Sequence, residues 1–328
     1  MAGRQPLLAA AMIVRNEAAH LRDCLASIAH AVDEIVVVDT GSDDDSVAIA
    51  QSFGARVIHH PWTDDFSAAR NVALDAVTAQ WILYIDADER LRPIERTDVV
   101  ALLEDAREVA FRVKLRPFVG GLPAREYRVW RNDPRIRFVG VIHEKVVPAI
   151  AAVADADRRP IGLCDLELDH LGYEGDQSQK HARNLPLLRA QLDAEPTNVF
   201  NWHHLATVLR ARGDAAEAEA ALERARRLVQ RSEGRPPAAG ALVYADLVTA
   251  RRGTAALDPV LDEGLRTYPD APPLIWAKAV SLLDEQRYEE ALTWIDRLEA
   301  LDPATLEDTM SYEERLFESR TAYARAVA

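Results

Sequence analysis

Two carboxylates separated by one residue, Asp86-Ala87-Asp88, follow the apolar run Trp81-Ile82-Leu83-Tyr84-Ile85. Where a buried strand gives way to a loop, such a pair can converge on one hard divalent cation. The triplet alone is common and more often only caps a loop, so its place after a strand is what gives it weight. A third acid stands in an equivalent place: Asp39 ends the β-branched run Glu34–Asp39 and is followed by Thr40-Gly41-Ser42.

The surrounding pattern says what must position these acids. Leu7–Val14 reads as a buried strand, and Glu17–Ala31 carries Leu21, Leu25, Ile28 and Ala29 on one helical face. After the strand Glu34–Asp39 come a helix at Ser46–Phe53 stopped by Gly54, a strand at Arg56–His60, a helix at Ser67–Val77 and a strand at Trp81–Asp86. Strand and helix in alternation predict an α/β domain with a doubly wound, mostly parallel sheet. Ligands of such sheets bind beyond the carboxyl ends of the strands, where Asp39 and Asp86 stand. From Asp98 to Leu171, strand-like pieces at Val109–Leu115, Tyr127–Trp130, Gly140–Val147 and Leu166–His170 are expected to complete the same domain. Arg125, Arg128, Trp130 and Arg131 form a basic, aromatic stretch within it, able to stack on a sugar and meet phosphate, or equally to be a strand edge.

The 328 residues suffice for two domains, each with a core of its own. A hydrophobic fraction of 48% and a charged fraction of 28% are ordinary for a globular chain and exclude a disordered one. With 39 basic against 53 acidic residues and a net charge of −14, a nucleic acid is not the expected partner, although a local phosphate pocket is compatible. Cys24 and Cys164 lack metal-ligand spacing and read as reduced thiols. The run Leu7–Val14 is too short to span a bilayer and no other stretch is apolar enough, so a soluble, cytoplasmic protein without a transmembrane segment is expected.

After Tyr173 the chain turns helical, rich in Ala, Leu and Arg, which places domains at 1–173 and 174–328. Small residues recur at Ala206, Ala245 and Ala279, each followed three positions on by Leu209, Val248 or Leu282. Second helices align as Ala218, Leu222, Ala225; Leu257, Leu261, Gly264; and Ala291, Ile295, Leu298, with Pro269 and Pro303 closing the last two units. Trp202 opens the first unit, and Gly and Pro at Ser232–Ala239 account for the longer first spacing. This resembles a degenerate tetratricopeptide repeat over Asn198–Pro303, with a capping helix expected towards Ala328.

The first half also carries a family resemblance. Ile13-Val-Arg-Asn-Glu17, Val36-Val-Val-Asp-Thr-Gly-Ser42, Asp65-Phe-Ser-Ala-Ala-Arg-Asn71 and Trp81-Ile-Leu-Tyr-Ile-Asp-Ala-Asp-Glu89 resemble, in order, the blocks of a family-two glycosyltransferase of the A-type fold, over Leu7–Tyr173. Members of this subgroup often carry a tetratricopeptide-like extension. The resemblance implies an inverting, metal-dependent transfer of a sugar, UDP-hexose being the commonest donor class, to a peptide, protein or glycan. Ile13, Val14, Glu17 and Asp39 match the nucleotide-contacting positions, with Ile13-Val14-Arg15 where many relatives have Pro-Thr-Tyr. Arg70 matches the Arg of the Arg-Asn pair, suited to diphosphate or to ordering carboxylates. Asp88 matches a metal ligand and Asp86 a position near the ribose or a metal-bound water. His170, after the last strand of the domain, matches the remaining metal ligand, and oxygen ligands with one imidazole suit Mn²⁺, with Mg²⁺ compatible. In Val141-Ile-His-Glu-Lys145, Glu144 matches the catalytic base, while His143 stands where the family more often has an acid and can itself be the base or orient the carboxylate. His59-His60 and His203-His204 have no carboxylate partners at metal spacing and read as structural.

Two other readings compete. A nucleotidyltransferase can share such a sheet and acidic site, but Ile13–Glu17 contains no Gly-rich phosphate loop. An adaptor built on the repeats, with an inactive first domain, is the reading from another class, and the presence together of Asp39, Asp86, Asp88, Glu144 and His170 weighs against it. The repeats are expected to present the acceptor or to mediate self-association.

Overall fold

The computed structural model describes residues 5–117, 123–171, 178–255 and 257–301. The chain divides into two compact units, Met1–Val119 with Arg125–Glu174, and Gly120–Ala124 with Gly175–Ala328.

The first unit opens β1 (Leu8–Val14), α1 (Ala18–Ile28), β2 (Glu34–Asp39), α2 (Ser46–Ser52), β3 (Arg56–His59), α3 (Phe66–Ala76) and β4 (Trp81–Tyr84). It continues β5 (Glu89–Leu91), α4 (Arg96–Leu103), β6 (Ala110–Pro117), β7 (Ala124–Arg131), α5 (Val147–Asp157) and β8 (Ile161–His170). Among the described residues these strands form one sheet in the order β3-β2-β1-β4-β7-β6-β8-β5. The β3-β2-β1-β4 half is parallel, β7 runs antiparallel to β4, β8 parallel to β6, and β5 antiparallel to β8. The sheet is therefore mixed, with its parallel half where the alternation of strand and helix predicted it.

Alternate residues of the central strands feed opposite layers. Leu8, Ala10, Met12, Val14, Val37 and Leu83 pack with Leu21, Leu25 and Ile28 of α1 and with Val99 and Leu103 of α4. Ala9, Ala11, Val36, Val38 and Ile82 pack instead with Ala73 and Leu74 of α3 and Ile150 and Val153 of α5. Cys24 and Cys164 are both buried free thiols, as their spacing implied.

One expected strand is not a strand. Gly140–Val147 forms a loop closed by a single bridge between Val139 and Lys145, and α5 starts at Val147. Gly140 at φ 108° and His143 at φ 50° take left-handed backbone, which interrupts any extended run, and Pro148 occupies the first turn of the helix. The left-handed state costs a residue such as His143 about 1–2 kcal/mol, so the surrounding contacts must hold the loop.

The second unit is helical: α6 (Ser178–Ala194), α7 (Val199–Ala211), α8 (Ala215–Gln230), α9 (Gly240–Ala250), α10 (Leu257–Thr267), α11 (Pro272–Asp284) and α12 (Tyr288–Glu299). Adjacent helices α7 with α8, α9 with α10, and α11 with α12 pack as hairpins, the pairing implied by the repeat spacing. Ala206, Leu209, Ala279 and Leu282 are buried as expected of the first-helix anchors. The middle anchor is shifted by one residue: Ala245 is half-buried while Tyr244 is fully buried. Gly264 of α10 makes the space, because a Cβ there would stand 3.0 Å from the Tyr244 Cβ. Pro303 and the expected capping helix lie outside the described residues.

Tyr244 also donates to Glu263, whose carboxylate accepts from Arg226 and Gln230. Burial opposes ionisation of Glu263, but these partners outweigh it and hold the carboxyl at about 2. Because the folded value is depressed from an ordinary 4.5, the stabilisation is present above pH 4.5 and lost as the pH falls towards 2. In thermal melts, Glu263→Gln is expected to lower Tm at pH 7, and its gap to the parent to close as pH falls through that window.

Candidate active site

The carboxyl ends of the parallel strands present the acids. Asp39 closes β2 with its side chain buried; Oδ1 accepts the Ser42 N–H at 3.0 Å and Oδ2 lies 3.2 Å from His59 Nδ1. Burial works against its charge, but Ser42, His59 and Gly41 outweigh it and lower its pKa. The loops after β1 and β2 are laced together: Asn16 N–H donates to Ser42 Oγ, Glu17 N–H to Ser46 Oγ, Ala18 N–H to Asp44 Oδ2, and Asp43 N–H to Asn16 Oδ1. Val14 has its side chain buried in the core, and its carbonyl accepts from Thr40 N–H and Oγ1. Ile13 and Glu17 are half-buried beside it.

Arg70 of α3 is the centre of the site. It is buried; its Nε donates to Glu144 Oε1 and its Nη1 to Asp86 Oδ1 at 3.0 Å. Its guanidinium lies over the Tyr84 ring, 4.4 Å from the centroid. The same helix clamps the loop that carries Glu144. Ser67 Oγ donates to the Gly140 carbonyl at 2.6 Å, Phe66 N–H to the Val141 carbonyl at 3.0 Å, and Asn71 bonds both the N–H and the carbonyl of Phe138. These contacts hold the loop in which His143 is left-handed and Glu144 reaches Arg70.

Asp86, just past β4, is engaged on both oxygens, Oδ1 by Arg70 and Oδ2 by the Tyr84 hydroxyl at 3.0 Å. Burial raises its pKa, yet the charges of Arg70 and Arg128 outweigh burial and keep it low. Each oxygen thus has one protein partner, and the side chain stays partly exposed. Asp88 points elsewhere: its Oδ2 stands 3.4 Å from His170 Nε2, with both side chains partly exposed. The pairing of Glu89 with His170 across β5 and β8 brings these residues together over a long sequence separation. Burial disfavours the charged imidazole of His170, but Asp88 outweighs it and raises the pKa.

Two ligands of one ion, each about 2.1 Å away and at right angles, stand ~3 Å apart, close to the Asp88–His170 separation. The donor set fits a divalent cation. Among the described residues no third His, Cys, Asp or Glu completes a cluster with them.

The basic stretch on β7 divides. Arg128 is buried, donates to Glu89 at 2.7 Å, forms an ion pair with Glu126 at 3.0 Å, and lies over Tyr84 at 4.6 Å. Burial pushes the Glu89 carboxyl up, and the Arg128 guanidinium opposes that rise. Trp130 is fully buried, against Tyr84 and Phe138, so it cannot stack on a sugar. Arg125 and Arg131 serve backbone carbonyls of Cys164, Glu108 and Ala106. Two histidines read as having no carboxylate partners at metal spacing do meet carboxylates in space, His59 with Asp39 and His203 with Asp246. Tyr84, Glu89 and His59 thus join the site or its support without having been singled out for it, although Glu89 is the third acid of the Asp86–Glu89 run; Arg128 was expected to meet phosphate and instead pairs with Glu89, and Asn71, of the Arg-Asn pair, clamps Phe138.

The family profile described as "Glycosyl transferase family 2" matches residues 10–146, the span that holds Asp39, Arg70, Asp86, Asp88 and Glu144. Residues 10–146 are a glycosyl transferase family 2 domain. The TPR repeat-containing protein Synpcc7942_0270 of Synechococcus elongatus is 35% identical over 259 residues, 76% of this chain and 63% of that protein. The SPbeta prophage-derived glycosyltransferase SunS of Bacillus subtilis is 27% identical over 59% of this chain and 47% of its own length. The lipopolysaccharide core biosynthesis glycosyltransferase LpsC of Rhizobium meliloti is 33% identical over 43% of this chain and 57% of its own. The chain thus spans 63%, 47% and 57% of these relatives. The profile match ends before His170, so it covers one residue of the Asp88–His170 pair. Among the described residues no helix is long and apolar enough to cross a membrane.

Proposed function

We propose that the chain is a metal-dependent, inverting glycosyltransferase that moves a sugar, a UDP-linked hexose first among the candidates, to a hydroxyl or thiol of a peptide, protein or glycan. The observation that carries this reading is the bridge of Arg70 between Glu144 and Asp86, next to the Asp88–His170 pair. One guanidinium aligns a candidate base with the acidic turn expected to meet the donor.

In this reading the laced loops around Ile13, Val14, Glu17 and Asp39 hold the nucleotide, Asp39 as an ionised acceptor for its N–H or O–H groups and Val14 through backbone alone. Asp88 and His170 hold Mn²⁺ or Mg²⁺. A divalent ion held there would supply neutralisation of the charge on the leaving diphosphate. Glu144 takes the proton of the acceptor, whose oxygen or sulfur forms the new bond to the anomeric carbon as the bond to the diphosphate oxygen breaks; the electron pair leaves with the diphosphate. His143, in the same loop, orients the acceptor or the carboxylate. The name of the Rhizobium relative favours a glycan acceptor. The domain boundary is proposed at 173/174, and the helical unit is proposed to present the acceptor or to join copies of the chain.

A thermal-shift panel of UDP, GDP, CDP and dTDP with and without Mn²⁺ tests the reading, because a ligand that binds only the folded state raises Tm. UDP is expected to shift Tm most, and more with Mn²⁺. Asp88→Ala should erase the metal-dependent part while leaving the ligand-free Tm close to that of the parent, since Asp88 is partly exposed. No shift from any nucleotide would overturn the reading.

A further inference from the structure

Glu89 follows the acidic turn directly and is fully buried. Its Oε2 accepts the Asp86 backbone N–H at 2.9 Å and its Oε1 accepts Arg128 Nη2 at 2.7 Å. The Glu89 N–H donates back to the Asp86 carbonyl at 3.0 Å, so the turn is closed by backbone and side chain alike. Across the sheet, Glu89 stands opposite His170 in the antiparallel β5–β8 pair. Asp88 therefore projects from a turn whose ends Glu89 ties together, towards a histidine whose place is set by the same residue's register. Arg128 braces the arrangement: it lies over Tyr84, whose hydroxyl holds Asp86 Oδ2, and its Nη1 is 3.9 Å from that oxygen.

A solvent-excluded ion pair is costly to bury, and an apolar pair of similar volume would fill the space at less cost. What the charged pair adds is direction, since a carboxylate that caps one N–H and meets one guanidinium has a single orientation. We propose that Glu89, braced by Arg128, is a positioning residue that sets the separation of Asp88 and His170 and thereby the divalent-cation affinity of the site. This rests on the metal-dependent transferase reading. The nucleotide-side loops at residues 14–18 and 39–46 are laced by contacts in which Glu89 takes no part, so nucleotide binding without metal is a separate readout.

The test compares the parent with Glu89→Ala and Glu89→Gln in the full chain. Mn²⁺ binding is followed by electron paramagnetic resonance with UDP present, UDP binding by calorimetry in EDTA, and hydrogen exchange over peptides 86–91 and 168–171. Glu89→Ala is expected to weaken Mn²⁺ binding by about 10–100-fold, and Glu89→Gln, which keeps an oxygen for the Asp86 N–H, by less. UDP binding in EDTA should stay within about twofold, with faster exchange confined to the two peptides. Mn²⁺ affinity unchanged in Glu89→Ala would overturn the proposal, as would parallel loss of both affinities with faster exchange throughout the domain. Should Glu89→Ala fail to fold, Glu89→Gln decides by the same criteria. A parent that binds no Mn²⁺ would remove the metal reading; Glu89 then stands or falls as a positioning residue on the exchange of the two peptides.

Discussion

Glu144→Gln is expected to reduce sugar transfer about 10³-fold while leaving the affinity for the nucleotide unchanged. Removing a positioned general base typically costs 10²- to 10⁴-fold, and the amide keeps the shape that the clamped loop is built around. Arg70 approaches Oε1 alone, and among the described residues Oε2 takes no hydrogen bond, so one carboxylate oxygen is placed by the protein and the other is left to meet a proton. Nucleotide binding should not respond, because Asp39 and its laced loops involve different residues. Single-turnover transfer and calorimetry of UDP binding, run on the same preparation, separate the two quantities. A variant with near-parent transfer would remove Glu144 from the chemistry and turn attention to His143, whose replacement by Ala would then carry the loss.

The uneven legibility of this site in the sequence has a physical cause. Asp39, Asp86 and Asp88 were readable because each follows a β-branched or apolar run, and a strand end is a local feature. Of their cationic partners, Arg70 was legible through its Arg-Asn block and His170 through its place after the last strand, whereas the pairings of Arg128 and His59 were not. Arg128 meets Tyr84 because β7 runs antiparallel to β4 with Leu83 opposite Val129, a pairing that no local pattern announces. His59 meets Asp39 through the β2–β3 register in the same way. The partners Arg128 and His59 are thus set by sheet topology, whereas carboxylates at strand ends are set by the chain itself.

The misread loop shows the opposite failure. Gly140–Val147 has the β-branched content of a strand, but a glycine and a histidine with positive φ break it, and the contacts that hold this conformation come from α3, far away in sequence. A local propensity was overridden by tertiary clamps. Pro148, at the first turn of α5, was the available sign that a helix began there. Likewise β5 is only Glu89–Leu91, too short for any periodicity to show, yet it is the strand that brings Asp88 to His170.

Arg70→Met is expected to damage stability and activity together, and more severely than any other single change in the site. The guanidinium is the common partner of Asp86 and Glu144, whose side chains are 31% and 10% exposed. Removing it leaves two carboxylates facing a thioether, and breaking a buried ion pair from one side costs about 3–5 kcal/mol. For a domain of this size that corresponds to a fall in Tm on the order of 10 °C. Arg70→Lys should recover little, because an ammonium is a point charge that cannot span two carboxylates through separate N–H groups. The double variant Arg70→Met with Glu144→Gln separates charge from packing: with one of the stranded carboxylates made neutral, part of the lost Tm should return, whereas transfer should not. If Tm does not return, the loss belongs to the packing of Arg70 over Tyr84 and Phe138 rather than to its charge. If it does, a single buried cation holds the proposed base and the acidic turn in register, which ties the alignment of the two substrates to the stability of the fold.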